Sequence, residues 1–151
     1  MTTSVVVDTS VFIAALLGPG GANRRFIRAC LTGQFVPLMG TTLFLEYEAL
    51  LHRPELMERC RLTVAERNTL LDAFLSVCQW ITVYYTWRPN LRDEADNHLV
   101  ELGVAGNAKF LVTRNLRDLQ SGELRFRHLQ IVSPETLLEK IPHGHPDHPA
   151  S

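Results

Sequence analysis

The apolar positions fall into short blocks whose period changes along the chain. Ser4-Val-Val-Val-Asp8 is a β-branched run that predicts a strand buried on both faces. It ends at Asp8; Thr9 and Ser10 follow, then the apolar stretch Val11 to Leu17 and a break at Gly18-Pro-Gly-Gly21. A helix starting around Ala22 places Phe26, Ile27, Ala29, Cys30 and Leu31 on its inner face, with Gly33 as its stop. Phe35 to Met39 predicts a second strand, in which Pro37 argues for weak or edge pairing. Thr41 and Thr42 are placed to cap the next helix, whose apolar face is Leu43, Phe44, Tyr47, Leu50 and Leu51 and whose end is Arg53-Pro54. A small helix is expected over Glu55 to Cys60. Thr63 and Glu66 have capping-box spacing and open a helix over Val64 to Cys78. Trp80 to Tyr85 predicts a third strand, Asp93 to about Gly106 a helix, Lys109 to Thr113 and Leu129 to Val132 two further strands, and Ser133-Pro134 a last short helix. Strand and helix alternate throughout, which specifies an α/β fold with a central, mostly parallel five-stranded sheet covered on both faces.

Composition adds limits to this outline. The 151 residues suit one domain, expected over 1–141, and 46% hydrophobic with 21% charged residues is ordinary for a globular chain. No apolar run is long enough to span a membrane and no secretory signal precedes the first strand, so a cytoplasmic location is expected. Cys30, Cys60 and Cys78 form no CxxC pair; each sits in an apolar helical pattern as a small buried residue. Fifteen basic residues against 16 acids give a net charge of −1, so any attraction for a polyanion must be local. Residues 142–151, rich in His and Pro, predict a disordered tail with at most adventitious metal binding.

In a parallel sheet, ligands bind beyond the carboxyl ends of the strands. Asp8 ends the first strand. Thr113, Arg114 and Asn115 end the fourth, with Arg117 and Asp118 just beyond, and Asp93 and Asp96 open the helix that leads into it. Glu46 lies about one turn into the helix after the second strand, beside its apolar face. Taken singly, each acid has a plain explanation as a turn former, a helix cap or a solvated side chain. Converging on one rim, they would repel one another unless some held protons or a cation lay among them. All-oxygen donors suit Mg²⁺ or Mn²⁺, and such a site implies phosphodiester hydrolysis by water.

These residues resemble the PIN-domain nucleases, which include the toxins of bacterial toxin–antitoxin pairs. Val5-Val-Val-Asp8-Thr-Ser-Val-Phe is similar to that family's first motif, and Leu43-Phe-Leu-Glu46 through Arg53-Pro54 to its second. Arg92-Asp-Glu-Ala-Asp96 through Gly106 resembles the third, and Lys109-Phe-Leu-Val-Thr-Arg-Asn115-Leu-Arg-Asp118 the fourth. The resemblance runs from about Ser4 to Ile141 and implies a three-layer α/β/α PIN-like fold. It implies metal ligands at Asp8, Glu46 and Asp96, the same three residues carrying catalysis, with Asp93 as a supporting acid. Thr9 and Ser10 would position a water or a phosphate. Many members have an acid where Asn115 stands; Asn brings no charge, Asp118 is placed to supply the carboxylate, and occupancy by a second metal stays open. The function implied is a Mg²⁺- or Mn²⁺-dependent endoribonuclease, with RNA as substrate, a small antitoxin protein as partner and a homodimer as assembly.

Arg114 and Arg117 frame this rim and, with Thr113, are the expected phosphate contacts; Arg24, Arg25, Arg28, Arg125 and Arg127 are further candidates. Tyr85 and Trp87 could stack on an unpaired base, although core packing explains both. Asn115 motivates a rival reading, a catalytically weak or inactive RNA-binding or regulatory domain of the same fold. A phosphotransfer enzyme with Asp8 as nucleophile ranks lower, because Ser10 stands where haloacid dehalogenase-type enzymes carry a second acid.

Overall fold

The computed structural model describes residues 2–18, 21–83, 97–117 and 128–140. Their elements run β1 (Thr3–Val7), α1 (Thr9–Leu17), α2 (Ala22–Leu31), β2 (Phe35–Met39), α3 (Thr41–Leu51), α4 (Pro54–Met57), α5 (Val64–Val77), β3 (Gln79–Trp80), α6 (Asn97–Ala105), β4 (Phe110–Val112), β5 (Gln130–Val132) and α7 (Pro134–Glu139). The sheet order is β3-β2-β1-β4-β5 and all four pairings are parallel. α2 and α5 pack on β2, and α6 packs on β1, β2 and β4, giving the expected three layers. The chain steps from β1 to β2 and β3 on one side, then returns to β4 and β5 on the other. The order therefore reverses at the β1–β4 pair, and the crevice such a reversal opens lies beyond the carboxyl ends of those two strands.

β1 is the central strand, and Val5, Val6 and Val7 are fully enclosed, as their β-branched run implies. α1 was not expected from the pattern. Its nine residues are almost wholly apolar, with no polar stripe to reveal a helical period. The Thr63–Glu66 capping box forms in both directions, and Ser133 caps α7 by accepting from the Thr136 amide. Gly33 holds φ +91, the left-handed stop after α2 that glycine adopts freely.

Several boundaries depart from expectation. The N-cap of α3 is Gly40, so Thr41 and Thr42 lie in the first turn and do not cap it. α4 begins at Pro54 and closes at Met57. β3 starts at Gln79 and ends at Trp80. β2 is an interior strand, not an edge, yet Pro37 keeps a local edge. The Met39 carbonyl accepts from the Ile81 amide, so the backbone of Met39, and by the two-residue repeat that of Pro37, faces β3. β3 begins opposite Leu38, so the N–H that Pro37 lacks has no ladder partner to miss. No described helix is long and apolar enough to cross a membrane. The expected tail, residues 142–151, lies outside the described residues.

Candidate active site

β1 delivers Asp8 to the crevice. Its amide donates to the Val112 carbonyl at 2.9 Å, which extends the β1–β4 ladder one residue past the strand. Asp8 is 6% exposed. Two hydroxyls converge on one of its oxygens: Ser10 Oγ and Thr113 Oγ1 each donate to Oδ2 at 2.8 Å. Each hydroxyl is itself oriented by a backbone amide. Arg114 N donates to Ser10 Oγ at 3.0 Å, and Asn115 N donates to Thr113 Oγ1 at 2.9 Å. The turn after β4 thus fixes both hydroxyls, and they fix the plane of the carboxylate. Among the described residues, Oδ1 has only a long 3.5 Å contact from Thr9 Oγ1, which leaves acceptor capacity on that oxygen.

Glu46 reaches the same rim through its neighbour. Tyr47, fully buried on α3, donates its hydroxyl to the Val7 carbonyl at 2.8 Å, one residue before Asp8. This pins α3 to the end of β1. Burial, then charge on Cys78, Asp8, Cys30 and Glu46, pushes the Tyr47 phenol well above its ordinary pKa, so it remains a donor. Phe12 and Phe74 pack edge-on and tilted against its ring. Glu46 stands half-exposed with its Oε2 3.6 Å from His98 Nε2 on α6. That separation is too long for a hydrogen bond but short enough for electrostatic contact. It also brings the start of α6 to the rim.

Of the expected site residues, Asp8, Thr9, Ser10, Thr113, Arg114 and Asn115 assemble at one edge with Glu46 beside them. Asp96, Asp93 and Asp118 lie outside the described residues, as do Tyr85, Trp87, Arg125 and Arg127. Arg114 does not stand free: its Nη1 donates to both Glu135 carboxylate oxygens, at 2.6 and 2.7 Å. Burial works to raise the Glu135 carboxyl, but its own backbone amide, the hydrogen bond and charge of Arg114, and Ser133 together hold it below its ordinary value. Arg24 spends its Nε–H on the Ala15 carbonyl at 2.8 Å, a structural use. Arg117 is exposed. His98 and the buried acid Glu101 also lie within the third motif, outside the set expected from sequence; for Glu101 the signal is its place among Leu99, Val100 and Leu102, all of them buried.

Among the described residues no group of three or more His, Cys, Asp and Glu is arranged to hold a metal ion. Of the four expected acids, Asp8 and Glu46 lie among the described residues. The Asp8 carboxylate, a hard oxygen donor with acceptor capacity left on Oδ1, suits by its chemistry Mg²⁺ or Mn²⁺, which retain several waters and use one or two carboxylates.

Comparison with known proteins bears on the family and the fold. The sequence pattern of the family described as the PIN domain matches residues 4–117. The crystal structure of PAE2754 from Pyrobaculum aerophilum superposes with a TM-score of 0.54 over 91% of this chain and 88% of that chain, at 13% sequence identity, which shows a shared fold. No curated protein matches the sequence.

Proposed function

This chain belongs to the PIN-domain family, whose members are generally metal-dependent nucleases, and we propose that it is an endoribonuclease that hydrolyses RNA phosphodiester bonds with Mg²⁺ or Mn²⁺. The observation that carries the proposal is the Asp8 carboxylate, buried at the β1–β4 switch point with one oxygen locked by two hydroxyls. A buried carboxylate held this way is preorganised toward whatever meets its other oxygen. Asp8 and Glu46 would hold the ion, joined by Asp96 and by Asp93, Asp118 or Asn115 as the motifs suggest. A divalent cation there supplies charge against the phosphate and acidifies a bound water. Ser10 and Thr113 keep the Asp8 carboxylate in one orientation, Thr9 lies against its second oxygen, and Arg117 offers an exposed guanidinium to a phosphate. A toxin role, with a small antitoxin protein that masks the groove, a homodimeric assembly and a cytoplasmic location, belongs to the same proposal. Motif resemblance alone supports the toxin, antitoxin and dimer elements.

The test is cleavage of single-stranded RNA by purified protein with Mn²⁺, beside Asp8→Asn. Loss of this carboxylate is expected to cost several kcal/mol, a drop of about 100-fold or more. Equal cutting by both preparations would mark the activity as contamination and overturn the proposal. The rival reading, an RNA-binding or regulatory domain without cleavage, is favoured by Asn115 in place of a fourth acid. RNA binding with no Mn²⁺-dependent cutting in either protein would establish it.

A further inference from the structure

Trp80 ends β3 with 52% of its surface exposed, whereas tryptophan is on average a well-buried side chain. The sheet register places it on the rim that carries the candidate site. Val6 pairs with Leu38 and Met39 pairs with Trp80, so one step on from Val6, Val7 runs level with Trp80 two strands away. At roughly 4.8 Å between strands, the lateral separation is about 10 Å. α3 ties the two points together. Phe44 leans on the Trp80 ring, with centroids 5.7 Å apart and planes at 57°. Tyr47, one turn later, holds the Val7 carbonyl, and Glu46 lies between them in the chain.

The indole is therefore supported by Phe44 and open to solvent, beside a site for a charged backbone. A flat aromatic surface so placed suits a nucleobase, because every base has a π-face and stacking tolerates any sequence. A duplex does not suit it, since paired bases stay stacked on one another; unpaired bases can splay out onto aromatic side chains. We propose that Trp80 is a stacking platform for one unpaired base of a bound single strand, about one to two nucleotides from the phosphate at Asp8 and Glu46. It rests on the nuclease reading for the identity of that strand.

The chain has two tryptophans, Trp80 and Trp87, so a Trp87→Phe background reports Trp80 fluorescence alone. In EDTA, where no cutting occurs, a short mixed-sequence single-stranded RNA is expected to quench that emission. An abasic oligomer of the same length is expected not to. Trp80→Ala should weaken single-strand affinity about tenfold, the loss of one stacked base, and Trp80→Phe should retain most of it. Unchanged emission at saturating RNA, equal quenching by the abasic oligomer, or Trp80→Ala affinity within twofold of wild type would each overturn the platform. Should Trp80→Ala fail to fold, the quenching comparison and Trp80→Phe decide. If Trp80→Ala lowers self-association in sedimentation and leaves RNA affinity intact, the face serves protein contact and the platform falls. The two readings fail separately: quenching without Mn²⁺-dependent cleavage removes the nuclease and keeps the platform, while normal cleavage with unaltered Trp80→Ala affinity does the reverse.

Discussion

Thr113 shows how much a single side chain does at this rim. It is fully buried, its hydroxyl donates a hydrogen bond to Asp8 Oδ2, and its oxygen accepts one from the Asn115 amide. Thr113→Val keeps shape and removes both bonds, leaving the Asn115 N–H without its acceptor and Oδ2 with Ser10 alone. Outer partners that orient a ligand typically contribute 10- to 100-fold to affinity or activity. The expected outcome is a fall of about that size in Mn²⁺-dependent cleavage, with weaker Mn²⁺ binding by calorimetry and a stability loss of about 1–2 kcal/mol in urea. Cleavage and Mn²⁺ affinity both within twofold of wild type would show that the hydroxyl is only a structural bond. Ser10, half-buried and reached through the Arg114 amide, divides the same task with it. Asp8 was legible as a candidate because it ends a strand. Its two hydroxyl partners were legible as site residues, but not in this role, since the pairing of Thr113 with Asp8 spans 105 positions.

Elements carry the site by close approach. Gly106, at the end of α6, lies so near the sheet that an added Cβ would collide with Leu38 Cδ1 and press on Ile81 Cγ1 at 3.2 Å. Leu38 is buried in β2, so its side chain would have to shift within the core. Gly106→Ala is therefore expected to destabilise the protein by about 1–3 kcal/mol through overpacking. Because α6 carries His98 to Glu46, the shift should also disturb the rim. Thermal unfolding unchanged to within a degree would refute this packing argument. Such contacts explain which elements the sequence disclosed. Capping chemistry is local, so the α5 capping box and the Ser133 cap could be read directly. α1 could not, because a helix apolar on nearly every side has no visible period. Glu135 sits in the first turn of α7, where an acid already has a local reason to be; that it would occupy Arg114 depended on that turn meeting the segment after β4, which no periodicity records.

At the scale of the whole molecule, the strand order decides where chemistry can occur, and the core beneath decides under which conditions the molecule survives. The alternation of elements was enough to predict a parallel sheet. The switch point depended on a spatial order, β3-β2-β1-β4-β5, that sequence order does not give. Below that switch point lie groups that stay protonated only while buried. Cys78, whose thiol donates to the Phe74 carbonyl, is pushed by burial from 9.0 up to about 12. Cys30 is raised further by burial and by Cys78, and Tyr47 is raised as well. In the unfolded chain these groups lose their protons near ordinary values, while in the folded chain they keep them. Above about pH 9 the unfolded state thus binds fewer protons, and stability must fall as pH rises. The contribution is complete below the unfolded value and is lost progressively toward the folded one. Each such group adds a slope of about 1.4 kcal/mol per pH unit within its window. Urea midpoints should therefore hold steady to about pH 9 and then decline, and Cys78→Ala should decline less steeply because one of the groups is gone. A flat wild-type midpoint to pH 11 would mean that these side chains are not held in a dry core. In that case the aromatic cluster of Phe12, Tyr47 and Phe74, which Tyr47 ties to the Val7 carbonyl one residue before Asp8, would not be the rigid support on which the site depends.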